Sequence, residues 1–92
     1  MNLKLWHCVG WKGDEYYFEG SGYCDVLAET ATKACDMAYE WARSNNLLRM
    51  SFEESNVKEI TAEELTGDIE RHLADAFTKM GHECVIRYYV YS

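Results

Sequence analysis

The chain has 92 residues, a formal net charge of −7, 48% apolar and 14% aromatic residues, and no proline. That is enough apolar mass for one core and too little length for two, which excludes both a disordered tail and a two-domain protein. A sequence pI near 4.8 argues against direct contact with nucleic acid or an anionic membrane surface, since both ask for clustered Lys and Arg.

No apolar run approaches the roughly 20 residues that span a bilayer. The N-terminus, MNLKLWHCVGWKG, lacks the continuous apolar stretch and small-residue cleavage site of a signal peptide. The expectation is a soluble, cytoplasmic single domain over residues 1–92. Cys8, Cys24, Cys35 and Cys84 are then expected as reduced thiols, and no CxxC is present.

Residues 3–11 are rich in strand formers and Lys12-Gly13-Asp14 is a turn signal. Residues 15–28 read as a second strand, interrupted at Gly20-Ser21-Gly22 by a bulge or tight turn. The two are expected to pair as a hairpin. Thr30 is a suitable N-cap for a helix over 31–44. Its stripe is Ala31, Ala34, Cys35, Ala38, Trp41 and Ala42, nearly all small, with Trp41 as the single large anchor. Asn45-Asn46 ends it, because Asn tolerates the left-handed conformation.

Residues 47–53 form a third strand with Leu48, Met50 and Phe52 facing one way, and 57–60 a short further strand. Thr61-Ala62-Glu63-Glu64 is a capping box that opens a second helix. Its apolar stripe is Leu65, Ile69, Leu73, Ala76, Phe77 and Met80, and Gly81 is the stop; Gly67 weakens its first half by roughly 1 kcal/mol relative to Ala. The last strand, 84–91, is β-prone on both faces, which points to a central place in the sheet.

These elements make an α+β two-layer sandwich: a mostly antiparallel four- or five-stranded sheet with two helices on one face. The other sheet face then carries several of Trp6, Trp11, Tyr16, Tyr23, Tyr88, Tyr89 and Tyr91. That face is open to two readings, a contact between two copies of the chain or ordinary exposed tyrosines.

The charge is local. Between Glu53 and Asp75 stand Glu53, Glu54, Glu59, Glu63, Glu64, Asp68, Glu70 and Asp75, opposed only by Lys58 and Arg71. Such an imbalance sets up a field on one side of a small domain and suits a basic partner. The plainer reading is a solvated helix face, and Glu63 and Glu64 have a local job at the helix start.

Other chemistry is poorly signed. His7-Cys8 and His82-x-Cys84 supply zinc-type ligands, but neighbouring strand residues point to opposite faces, so His7 and Cys8 do not readily share one ion. There is no GxSxG and no phosphate-binding glycine motif. His72, near Arg71 and Asp75, reads as a boundary residue. No catalytic residue, metal or cofactor is therefore assigned, and a small metal or thiol enzyme ranks last.

In size, charge and the stretch from Val26 through Ala42, where a V-x-A-x-T strand end leads into an alanine-rich helix ending E-W-A, the chain resembles small acidic phage-encoded anti-CRISPR proteins acting on type I surveillance complexes. The resemblance implies a non-enzymatic inhibitor inside the bacterial host. It would bind Cas subunits of the effector and block target DNA by imitating nucleic acid with its acidic face. The hairpin and alanine-rich helix also resemble HicB-type antitoxins, which neutralise a basic ribonuclease, although the proline-containing segment of that family is missing.

Overall fold

The computed structural model describes residues 2–13, 18–47 and 49–91. Strands β1 (Lys4–Gly13) and β2 (Phe18–Ala28) form the expected antiparallel pair, with Leu5 opposite Leu27 and Cys8 opposite Cys24. Helix α1 (Ala31–Ser44), strand β3 (Met50–Ile60), a 3-10 turn (Ala62–Glu64), helix α2 (Asp68–Met80) and strand β4 (Cys84–Tyr91) follow. The sheet has four strands in the order β3-β1-β2-β4, and each neighbouring pair is antiparallel. The fold is α+β, as the sequence pattern implies. Residues 14–17, which include the last residue of the turn signal, the start of the expected second strand and Tyr16, lie outside the described residues, as does Leu48.

Helix α1 forms where its stripe requires. The Thr30 hydroxyl accepts from the Lys33 amide at 3.1 Å, and Asn46 takes a left-handed φ of 60° just past the end. Ala34, Cys35, Ala38 and Ala42 are buried against Cys8, Cys24, Val26, Met50 and Phe52. Small side chains let the helix axis approach the sheet closely. Trp41 reaches past them to Tyr88, with ring centroids 4.6 Å apart.

The two helices do not share a face. Successive strand residues point to opposite sides, and Cys8, Cys24, Val26 and Val85 pack under α1, whereas Leu5, Leu27, Ile86 and Cys84 pack with Leu65, Ala74 and Phe77 around α2. The expected two-layer arrangement is therefore replaced by a sheet with one helix on each side. This also corrects the placement of β4. Among the described residues it is an edge strand, paired only with β2. Its apolar residues on both faces answer to helices on both sides, so two-sided hydrophobicity did not signal a central position.

The region before α2 departs from expectation in two ways. Residues 50–60 are one strand, not two, and what separates the two expected segments is a register irregularity. Cys8 pairs with Val57 and Gly10 with Phe52, so the segment 53–56 bulges opposite Val9. The capping box does form in part, with the Glu64 carboxylate accepting from the Thr61 amide at 3.3 Å. It closes only the 3-10 turn, however. Leu65 is extended (φ −75°, ψ 132°) and buries its side chain, and α2 restarts after Gly67. That offset rotates the helix, so Ala74 is buried while Ile69 and Met80 are each 73% exposed. The expected stripe thus turns largely to solvent.

Two glycines let the edge strand lie across the sheet. Gly10 and Gly22 face each other in β1 and β2. A Cβ on Gly10 would sit 2.6 Å from the Ser51 carbonyl oxygen and 2.8 Å from the Phe52 ring; one on Gly22 would sit 2.5 Å from the Tyr89 carbonyl oxygen. The bare backbone is what admits Phe52 into the core. Strand β2 runs straight through 20–22, and the irregularity falls one step earlier, where Lys12 pairs with Gly20 and Gly13 with Phe18.

Candidate functional site

The eight carboxylates of the acidic segment all reach solvent; Glu70 is half-buried against Gly67 and the other seven are exposed. Glu53, Glu54 and Glu59 lie on β3, an edge strand, and the chain carries the rest directly onward through the 3-10 turn and α2. Not all are equally available. The Glu54 carboxylate accepts from the Thr32 hydroxyl at 2.9 Å, beside the start of α1. Asp68 pairs with Arg71, and Asp75 pairs with Lys79 at 3.1 Å. Exposed pairs of this kind contribute little energy and leave the field only partly cancelled. Glu59 and Asp75 line one groove together, whereas Glu64 turns to a different cleft beside Lys58. The segment therefore wraps the β3 edge and the α2 side of the molecule and does not form a flat patch.

A second cluster was not visible in the sequence. On the sheet face that carries α2, the strand registers bring Lys58, His7, Asp25 and Arg87 into one transverse row across β3, β1, β2 and β4. Asp25 has no solvent exposure. Its Oδ1 lies 2.5 Å from His7 Nδ1, while its Oδ2 accepts from Arg87 Nε at 2.9 Å and Nη2 at 2.8 Å. A buried carboxylate is tolerable only when its lone pairs are used in this way. Arg87 Nη1 donates onward to the Thr66 hydroxyl at 2.9 Å, tying the row to the segment before α2. The Arg87 guanidinium also lies over the Tyr23 ring, 5.4 Å from its centroid.

The row divides this face. On one side of it lie Leu5, Leu27 and Ile86 under α2. On the other, no helix among the described residues covers the sheet, and an aromatic file runs from His7 to Tyr23 (5.0 Å), Tyr89 (6.3 Å) and Tyr91 (5.2 Å). Trp11 shares this open side by alternation, whereas Trp6 and Tyr88 belong to the α1 face. Only a charged residue inside β2, Asp25 in CDVLA, hinted at the row, and nothing local said what it would meet.

The remaining candidates separate. His7 and Cys8 point to opposite faces, His82 stacks on Phe77 at 5.3 Å, and Cys84 is half-buried under α2. Among the described residues no group of three or more His, Cys, Asp or Glu is placed to hold a metal ion. The four cysteines are free. Burial, then the nearby Cys35 and Asp25, pushes the Cys8 thiol up to about 12, and burial likewise raises Cys24, Cys35 and Cys84. Such thiols are poor nucleophiles. No helix among the described residues is long and apolar enough to cross a membrane. No family model, no curated protein and no solved structure matches this chain.

Proposed function

We propose that this chain is a non-enzymatic binding protein that occupies a basic groove of a nucleic-acid-handling partner with the carboxylates of β3, the 3-10 turn and α2. The observation behind this reading is that all eight acidic side chains of 53–75 reach solvent along one continuous stretch of chain, beginning on an open sheet edge. Charge attraction of this kind speeds encounter and orients the partners. The partner class that the sequence resemblance suggests is a type I CRISPR surveillance complex, whose DNA groove such a face would fill.

The test uses Glu53→Lys, Glu59→Lys and Glu63→Lys together. None of these side chains makes a long-range hydrogen bond or ion pair among the described residues, so the fold should survive, as circular dichroism and thermal melting would verify. Affinity capture from a bacterium carrying a type I system should retain Cas subunits on the unmodified chain and lose them on the variant. Capture of a small ribonuclease would replace this partner with the toxin of an antitoxin pair. Undiminished capture by the variant would refute the electrostatic mechanism.

A further inference from the structure

We propose that the transverse row Lys58–His7–Asp25–Arg87 is the floor of a binding site for a small oxyanion, filled by the phosphate monoester of a flat aromatic molecule. The site does not depend on the acidic-surface reading: its donors lie on the sheet face, and of the eight carboxylates only Glu64 lines the cleft. A cleft of about 230 Å³ opens there, lined by His7, Lys58, Ile60, Glu64 and Arg87. That volume is ample for a phosphoryl group with part of its substituent.

The argument rests on which groups are already engaged. Asp25 is fully buried, holds both His7 and Arg87, and shows no surface to a ligand. Glu64, at the rim, accepts from the Thr61 amide at 3.3 Å. The donors are in the reverse condition. Lys58 makes no hydrogen bond or ion pair with the described residues, and it stands directly opposite His7 in the β1–β3 register. With Nδ1 of His7 committed to Asp25, Nε2 is the ring atom left for a ligand, and it has no partner among the described residues; it accepts from the P–OH of a phosphate monoester when the ring is neutral and donates to a phosphate oxygen when the ring is an imidazolium. The guanidinium of Arg87 is fixed by Asp25, Thr66 and the Tyr23 ring, yet keeps N–H groups beyond those bonds. Polar groups on three different strands, with the Arg87 fork already held by Asp25 and Thr66 and the Lys58 ammonium free to turn in, suit phosphate recognition.

The aromatic file supplies the second half of the site. Tyr23 lies between His7 and Tyr89, and Tyr89 is 54% exposed on the uncovered part of the sheet. The cleft itself is lined by no tyrosine, so a planar group attached to a phosphate at the row would have to extend across the row, past Tyr23, to rest on the Tyr89 ring.

Titration of the intact chain with phenyl phosphate, followed by imidazole NMR of its three histidines, tests the proposal. Saturable shifts of His7, with His72 and His82 unmoved, are expected, along with tighter binding of phenyl phosphate than of inorganic phosphate. Lys58→Ala, at an exposed position that should not disturb folding, should weaken binding about fivefold or more, the loss of one charge-assisted bond. His7→Gln should weaken it further, while Arg43→Ala on the opposite face should have no effect. No saturation up to about ten millimolar, equal shifts at all three histidines, or unaltered affinity in Lys58→Ala would each overturn the site.

Discussion

Asp25 and His7 stand directly opposite each other in β2 and β1, with Asp25 Oδ1 2.5 Å from His7 Nδ1 and the carboxylate wholly out of solvent. Arg87, on the far side of Asp25, completes the neutralisation. A single buried charge thereby ties together three of the four strands, including the edge strand β4.

Removing that charge should be costly. Asp25→Asn leaves Arg87, whose side chain is only 18% exposed, without its counter-ion. Loss of one partner from a buried pair costs about 3–5 kcal/mol. Urea unfolding of Asp25→Asn should show a drop near the lower end of that range, because Arg87 retains Thr66 and some water. A loss under about 1 kcal/mol would mean that the pair behaves as a surface bridge.

Gly10→Ala should destabilise by about 1–3 kcal/mol, the range for overpacking. The new methyl meets the Ser51 carbonyl oxygen, which belongs to backbone and cannot rotate away. The measurement is the thermal midpoint relative to Gly81→Ala. There a Cβ meets nothing within 4 Å, and the loss would come only from the left-handed φ of 67°.

Alkaline pH should weaken the fold through the thiols. The folded value for Cys8 is raised from 9.0 to about 12. Below the unfolded value this contribution to stability is fully present. As pH rises above about 9 the unfolded chain loses a proton that the folded chain keeps, and stability falls until pH passes the folded value. The slope is roughly 1.4 kcal/mol per pH unit for each such thiol. Denaturant midpoints should therefore be flat from pH 7 to about 9 and then drop, less steeply in Cys8→Ala than in the unmodified chain.

The apolar outer face of α2 should be energetically silent. Ile69→Lys and Met80→Lys alter side chains that are 73% exposed, and each should change stability by less than about 0.5 kcal/mol. Leu65→Ala, at a side chain 1% exposed, should cost about 2–5 kcal/mol. Comparable losses at positions 65 and 69 would mean that α2 packs on the stripe its periodicity suggests.

Much of the fold was legible in local chemistry. The β1–β2 pairing, Thr30 as the cap of α1, the small-residue stripe through Ala34 and Ala38, Asn46 as its end and Gly81 as the stop of α2 each follow from what a residue can do within a few positions of itself. The concentration of carboxylates in 53–75 and their exposure were likewise set by composition, since unpaired acids avoid a core.

What tertiary structure decided is which faces meet. Periodicity shows that a helix has an apolar side but not which side of the sheet will take it, so the separation of α1 and α2 and the edge position of β4 lay beyond reach. Gly67 broke the second helix, and the new start rotated its stripe outward. Asp25, His7, Lys58 and Arg87 are distant in the chain and came together only because strand register aligned them. Register is a property of paired strands, fixed by burial on both sheet faces at once, and no single segment contains it.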